Sequence, residues 1–111
     1  MDETRAKALL AAERRRVERL LQEVLEASRQ DRSTANETGD IADPAERLTA
    51  KEVDDAVTSS LRDRLEAIDR ADVRLRQGTF GRSVKSGVLI PDERLEADPA
   101  AEVTVEEADN G

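Results

Sequence analysis

The 111-residue sequence predicts a mostly α-helical protein, a long antiparallel two-helix coiled-coil hairpin with a small irregular appendage at its C-terminal end. Three observations carry that prediction. Charged residues make up 40% of the chain and aromatics 1%, so few large side chains exist to fill a broad core; long helices that bury a narrow stripe tolerate the shortage. Leu, Val and Ala recur at helical spacing up to Gln77. After Gly78 that periodicity gives way to short apolar runs separated by glycines and a proline.

The first helix is predicted over about residues 3–30. Leu10, Val17, Leu21 and Val24 form its seam, widened by Leu20 and Leu25, and Arg14 and Ser28 interrupt it. "ERRR" at 13–16 reads as a solvated face offset by nearby acids rather than a basic recognition patch. The polar stretch "DRSTANETGDIA", with Gly39, marks a tip loop over 31–43. In "DPAER", Asp43 suits an N-cap, Pro44 the first helical position and Glu46 the reciprocal place of a capping box. The second helix is predicted from Pro44 to about Gln77, where Gly78 stops it. Its seam is Val57, Leu61, Ile68, Ala71 and Leu75, broadened by Leu65. Residues 1–77 thus form the hairpin, 78–108 a small globule and 109–111 a tail. Phe80, Val84, Val88, Ile90, Leu95, Val103 and Val105 are the candidate core of the globule.

The net charge of −8 is concentrated late in the chain: from Gly87 onward eight acids face Arg94 alone. Such a surface repels phosphate backbones, so direct DNA binding is not expected. Neither a signal peptide nor an apolar stretch able to span a bilayer is present, which makes the cytoplasm the expected location. Without His, Cys or Tyr, the candidate general bases are scattered carboxylates, and no phosphate loop or dinucleotide fingerprint accompanies them. An enzyme is not expected.

Three stretches, "DPAER", "LEAIDRADVRLRQGTFGRS" and "GVLIPDERLEADPAAEVTVEEA", resemble the DksA/TraR family of bacterial transcription regulators over residues 40–108. The most specific part is Gly-x-Phe-Gly followed by Ile-Pro-x-x-Arg-Leu-Glu-Ala-x-Pro. In that family the appendage is a four-cysteine zinc ribbon. Here the matching positions are Ser83, Ser86, Thr104 and Glu107. Structural zinc takes deprotonated sulfur or imidazole ligands, and neutral hydroxyls bind it weakly. The resemblance therefore implies a degenerate zinc-ribbon-like globule, and no zinc is expected. The lost ion must be offset by packing against the helices, or the globule must be partly mobile.

The resemblance further implies a monomeric protein that binds RNA polymerase, with its coiled coil inserted in the secondary channel and an acidic tip near the active centre. The tip pair falls on Asp43 and Glu46, which would equally serve as helix caps, and Leu48 stands where an alanine is usual. Some members respond to guanosine tetraphosphate through a basic residue at the position held here by Asp98, where a carboxylate would repel the nucleotide. Arg94 matches the family's arginine and, beside Glu93 and Glu96, is expected in a local ion pair. The alternative function is a helical interaction or scaffold protein of the same descent, with another partner or self-association.

Overall fold

The structure, a computed structural model, describes residues 1–38 and 44–110, with side-chain surroundings for 1–30 and 51–109. Two long helices dominate, α1 (Glu3–Thr38) and α2 (Pro44–Gln77), followed by two short ones, α3 (Asp92–Ala97) and α4 (Val105–Asn110). The molecule measures 56 × 30 × 20 Å. Among the described residues no helix is long and apolar enough to cross a membrane.

The α1 helix continues past its expected end near Gln30 to Thr38. "DRSTANET" holds weak helix formers but neither Gly nor Pro, and each weak former costs only a few tenths of a kcal/mol, roughly. Gly39 is the first strong breaker. The tip connection is therefore shorter than the expected 31–43.

The two long helices pack antiparallel, and the residues that interrupt the apolar seam of α1 show the register. The Arg14 guanidinium reaches Asp69 at 2.8 Å and Asp72 at 2.6 Å on α2, while Ser28 Oγ donates to Asp54 at 3.0 Å. Early residues of α1 thus meet late residues of α2. The apolar cluster around the Arg14 crossing is made of Leu10 and Val17 from α1 and Ile68 and Ala71 from α2, with Leu61, Leu65 and Leu75 beside them. Ala100, from the globule, closes the same cluster.

A Schellman motif ends α2. Gly78 adopts φ 79°, the Gly78 N–H donates to the Leu75 carbonyl at 3.3 Å and the Thr79 N–H to the Arg74 carbonyl at 2.9 Å. The chain then turns back along the hairpin's base. The expected ribbon is reduced, among the described residues, to one antiparallel bridge between Arg82 and Leu89. Ile90, Leu95 and Ala101 form a second apolar cluster, joined by Met1. Phe80 touches both clusters, so the lone aromatic cements the globule to the helices.

This interior differs from the expected one. Val84, Val88 and Val105 are exposed, whereas Ser83, Pro99, Ala100, Ala101 and Thr104 are buried. The difference follows from chain direction. Ser83 and Thr104 open turns in which their hydroxyls accept from backbone amides, and those bonds let the two residues face inward. Neither α3 nor α4 has enough residues to show helical periodicity, which is why the sequence did not announce them.

Candidate functional site

Two candidate sites come from the sequence: the acidic pair Asp43 and Glu46, and the four positions Ser83, Ser86, Thr104 and Glu107. Asp43 lies outside the described residues. Glu46 contributes backbone to the first turns of α2, and its side chain likewise lies outside them.

Ser83, Ser86, Thr104 and Glu107 are brought together. Ser83 opens a tight turn in which its Oγ accepts hydrogen bonds from the Lys85 N–H at 3.1 Å and the Ser86 N–H at 3.3 Å. Gly87, at φ 78°, closes that turn with its N–H on the Ser83 carbonyl at 2.9 Å. The Ser86 hydroxyl in turn accepts from the Val88 N–H at 3.4 Å. Thr104 caps α4, accepting from the Glu107 N–H at 3.2 Å, and the Glu107 carboxylate returns the bond by accepting from the Thr104 N–H at 3.0 Å. This is a capping box.

The carboxylate does more than cap. The hydroxyls of Ser83 and Ser86 lie near it. Donation from the Thr104 backbone, chiefly, and from these hydroxyls holds the Glu107 pKa down at about 2. Each serine hydroxyl is already used as an acceptor by the backbone, Ser83 by two amides and Ser86 by one. The donor set does not fit structural zinc. It offers three neutral hydroxyls and one carboxylate already engaged by N–H and O–H groups, with no sulfur or imidazole.

A second polar cluster clasps the globule to the hairpin. Arg64 reaches Asp98 at 2.5 Å and Glu13 at 3.5 Å, so one guanidinium links α1, α2 and the segment after α3. Arg70 and Arg74 reach Glu102 at 2.8 Å and 3.4 Å. Arg5 pairs with Glu96, and the Met1 amino group lies 3.1 Å from Asp92. The Arg16 hydrogen bond, followed by the Arg16 and Arg64 charges, holds Glu13 below the usual carboxylate range, and Arg70 does the same for Glu102. Arg70 and Arg14 are pushed up in return by the acids they face.

These contacts revise two expectations. "ERRR" is not simply a solvated face, because Glu13 and Arg14 both bond across to α2. Arg94 does not settle into a local ion pair; its Nε donates to the Val103 carbonyl at 2.8 Å, tying α3 to the segment before α4. Asp98 is committed to Arg64 and to the Ala100 N–H at 3.2 Å. The clasp itself, Arg64, Arg70, Arg74 and Glu102, escaped the sequence reading. Its signal was the match between an arginine-bearing C-terminal half of α2 and the acid-rich stretch after Gly87.

Comparison with known proteins gives a fold and one relative. The solved structure of transcription factor DksA2 from Pseudomonas aeruginosa superposes with a TM-score of 0.52, covering 93% of this chain and 82% of that one at 22% identity. The chain therefore has a DksA-like fold. In sequence it is 37% identical over 98 residues to General stress protein 16O of Bacillus subtilis (strain 168), which is 87% of this chain. The chain spans 56% of the length of that relative. No family model matches the sequence.

Proposed function

We propose that the protein is a non-catalytic transcription regulator that binds RNA polymerase, inserting its hairpin into the secondary channel with Asp43 and Glu46 at the leading end and without help from zinc. One observation carries this reading: a helical arm joined at one end to a globule that four arginines clamp in place, on a DksA-like fold. A rod fixed at its base can deliver charge to its far end. Carboxylates beside a magnesium-dependent centre act through their field and need perform no chemistry of their own. Such a role requires a cytoplasmic monomer. A strong response to guanosine tetraphosphate through Asp98 is not part of it, since that carboxylate is already bonded and would repel the nucleotide.

A helical adaptor with another partner is the second reading, favoured by the exposed apolar residues Leu25, Val53 and Val57 on the outer half of the hairpin. One experiment separates the two. The full chain is used to capture core RNA polymerase, with another secondary-channel protein as competitor, and Asp43→Asn is assayed in transcription. Competed capture and loss of regulation in the Asn variant, which keeps most of the cap, support the polymerase reading. Capture that the competitor leaves unchanged, or no capture at all, rejects it.

A further inference from the structure

We propose that the backbone edge at Leu89 docks the same edge of a second copy of this chain, in a two-fold antiparallel contact that sets Lys85 of each copy against Glu93 of the other. The bridge between Arg82 and Leu89 shows why the edge exists. Its hydrogen bonds are made by the flanking residues: the Ser83 N–H donates to the Val88 carbonyl at 2.8 Å and the Ile90 N–H to the Gly81 carbonyl at 2.7 Å. Arg82 and Leu89 are therefore a non-hydrogen-bonded pair, and the N–H and C=O of each point away from the opposite segment. On the Arg82 side the globule covers the edge, with the Val84 N–H on the Glu102 carbonyl at 2.8 Å. On the Leu89 side the edge is open, because neither the N–H nor the C=O of Leu89 is hydrogen-bonded among the described residues. The Leu89 side chain is itself 68% exposed, and Val88 next to it and Val84 across the turn are exposed as well.

Three observations select a second copy as the occupant. A residue that offers its N–H and C=O on one side can exchange both bonds with its own copy across a two-fold axis, which antiparallel pairing provides. The open edge is also one residue long. Arg82 takes the Gly87 carbonyl at 3.2 Å, and Pro91 has no N–H and gives its carbonyl to Arg94 and Leu95. With the other edge covered, pairing closes at two chains instead of running on as a filament. Charge supplies the third observation. Lys85 and Glu93 stand at equal distances in sequence before and after Leu89, both exposed and neither ion-paired among the described residues, whereas Asp92 and Glu96 engage the Met1 amino group and Arg5. The two-fold brings each uncompensated cation toward the other copy's uncompensated anion. The net charge of −8 opposes association, so the contact is weak and the monomer prevails in dilute solution. The inference thus goes beyond the polymerase reading and does not depend on it.

The test is sedimentation equilibrium on the full chain, from micromolar to millimolar concentration, with wild type, Leu89→Asp, Lys85→Glu and Glu93→Lys. All three positions are exposed, and helical circular dichroism checks that each variant folds. Wild type dimerises toward the upper end of that range. Lys85→Glu or Glu93→Lys alone weakens association by about tenfold, since two exposed pairs are lost per dimer, and Leu89→Asp abolishes it. An equimolar mixture of the Lys85→Glu and Glu93→Lys chains regains the wild-type strength, because the mixed dimer again sets opposite charges together at both ends. Amide exchange reads the edge directly: the Leu89 amide, open to water in the monomer, exchanges more slowly as wild-type concentration rises. A chain that stays monomeric throughout, with a Leu89 amide indifferent to concentration, overturns the proposal. So does a dimer that Leu89→Asp leaves intact, or one that mixing fails to restore, since its contact lies elsewhere. None of these results bears on the polymerase capture, which stands or falls separately.

Discussion

Val17, Ile68 and Ala71, in the half of the hairpin beside the globule, are fully buried; further out, Leu25, Val53 and Val57 keep 38%, 55% and 41% of their surface exposed. The two halves carry similar apolar spacing, so the difference does not lie in the pattern. A pair of helices can bury a single stripe, and the residues flanking it stay wet unless a third element covers them. At the base Ala100 and Phe80 supply that cover. The polar contacts follow the same division. Arg14, Arg64, Arg70 and Arg74 all find their acids near the globule, and farther along the described part of the hairpin Ser28 and Asp54 bridge the helices. Stability is therefore concentrated where the globule sits, and the outer half is the part that can yield to a partner.

That contrast can be broken most sharply at Ile68. Truncation to alanine leaves a cavity beneath Ala100 and should cost about 2–5 kcal/mol, enough to unfold much of a small domain; the urea midpoint followed by helical circular dichroism reads it. Phe80→Ala comes next, at about 2–3 kcal/mol because the ring is only half-buried, and it should free the globule before the helices melt. Exchange rates at Ile90 and Leu95 rising ahead of those at Val17 would show that order, and simultaneous rise would argue that base and globule are one cooperative unit.

Acid should weaken the base next. Glu13, Glu102 and Glu107 all have folded-state pKa values below their unfolded ones, so the unfolded chain binds more protons through that range. Their contribution is present in full above the unfolded value of roughly 4.5 and is lost as pH falls from there toward about 2, where Glu107 titrates. Urea midpoints at pH 7, 4 and 3 should decline, and a flat profile would show the clasp and the α4 capping box to be energetically idle. Arg14→Met removes two partly exposed ion pairs while keeping the stem, and about 1 kcal/mol should go with it. The smallest effect is expected at Val57→Ala, within roughly 0.5 kcal/mol, since the site is already wet. A loss comparable to that at Ile68 would mean the outer seam is covered in solution, which would favour the adaptor reading.

The helices were legible because their signals repeat. Seven-residue spacing in Leu10, Val17 and Val24 declares a stripe several times over, and Gly78 stops α2 through a conformation other residues resist. The end of α1 was misjudged because polarity was taken for a break, and polarity alone does not end a helix. In the globule each signal appears once. "TVEE" is a capping-box sequence, yet Thr104 and Glu107 were weighed only as places where ligands were missing. Ile90 and Leu95 are buried as expected, whereas Val84, Val88 and Val105 are exposed and Ser83, Pro99, Ala100, Ala101 and Thr104 are buried instead.

By itself the sequence determined that the chain would form two long helices, that their apolar stripes would face each other, and that a thiolate metal site could not exist. These follow from local propensity, repeat spacing and ligand chemistry, which need no knowledge of distant neighbours. The tertiary structure decided which half of the stripe is buried, which arginine meets which acid, and that Thr104 and Glu107 close a capping box on each other. Those outcomes depend on segments far apart in the chain meeting at hydrogen-bond distance, and single occurrences of Ser, Thr, Glu or Arg carry no record of whom they will meet.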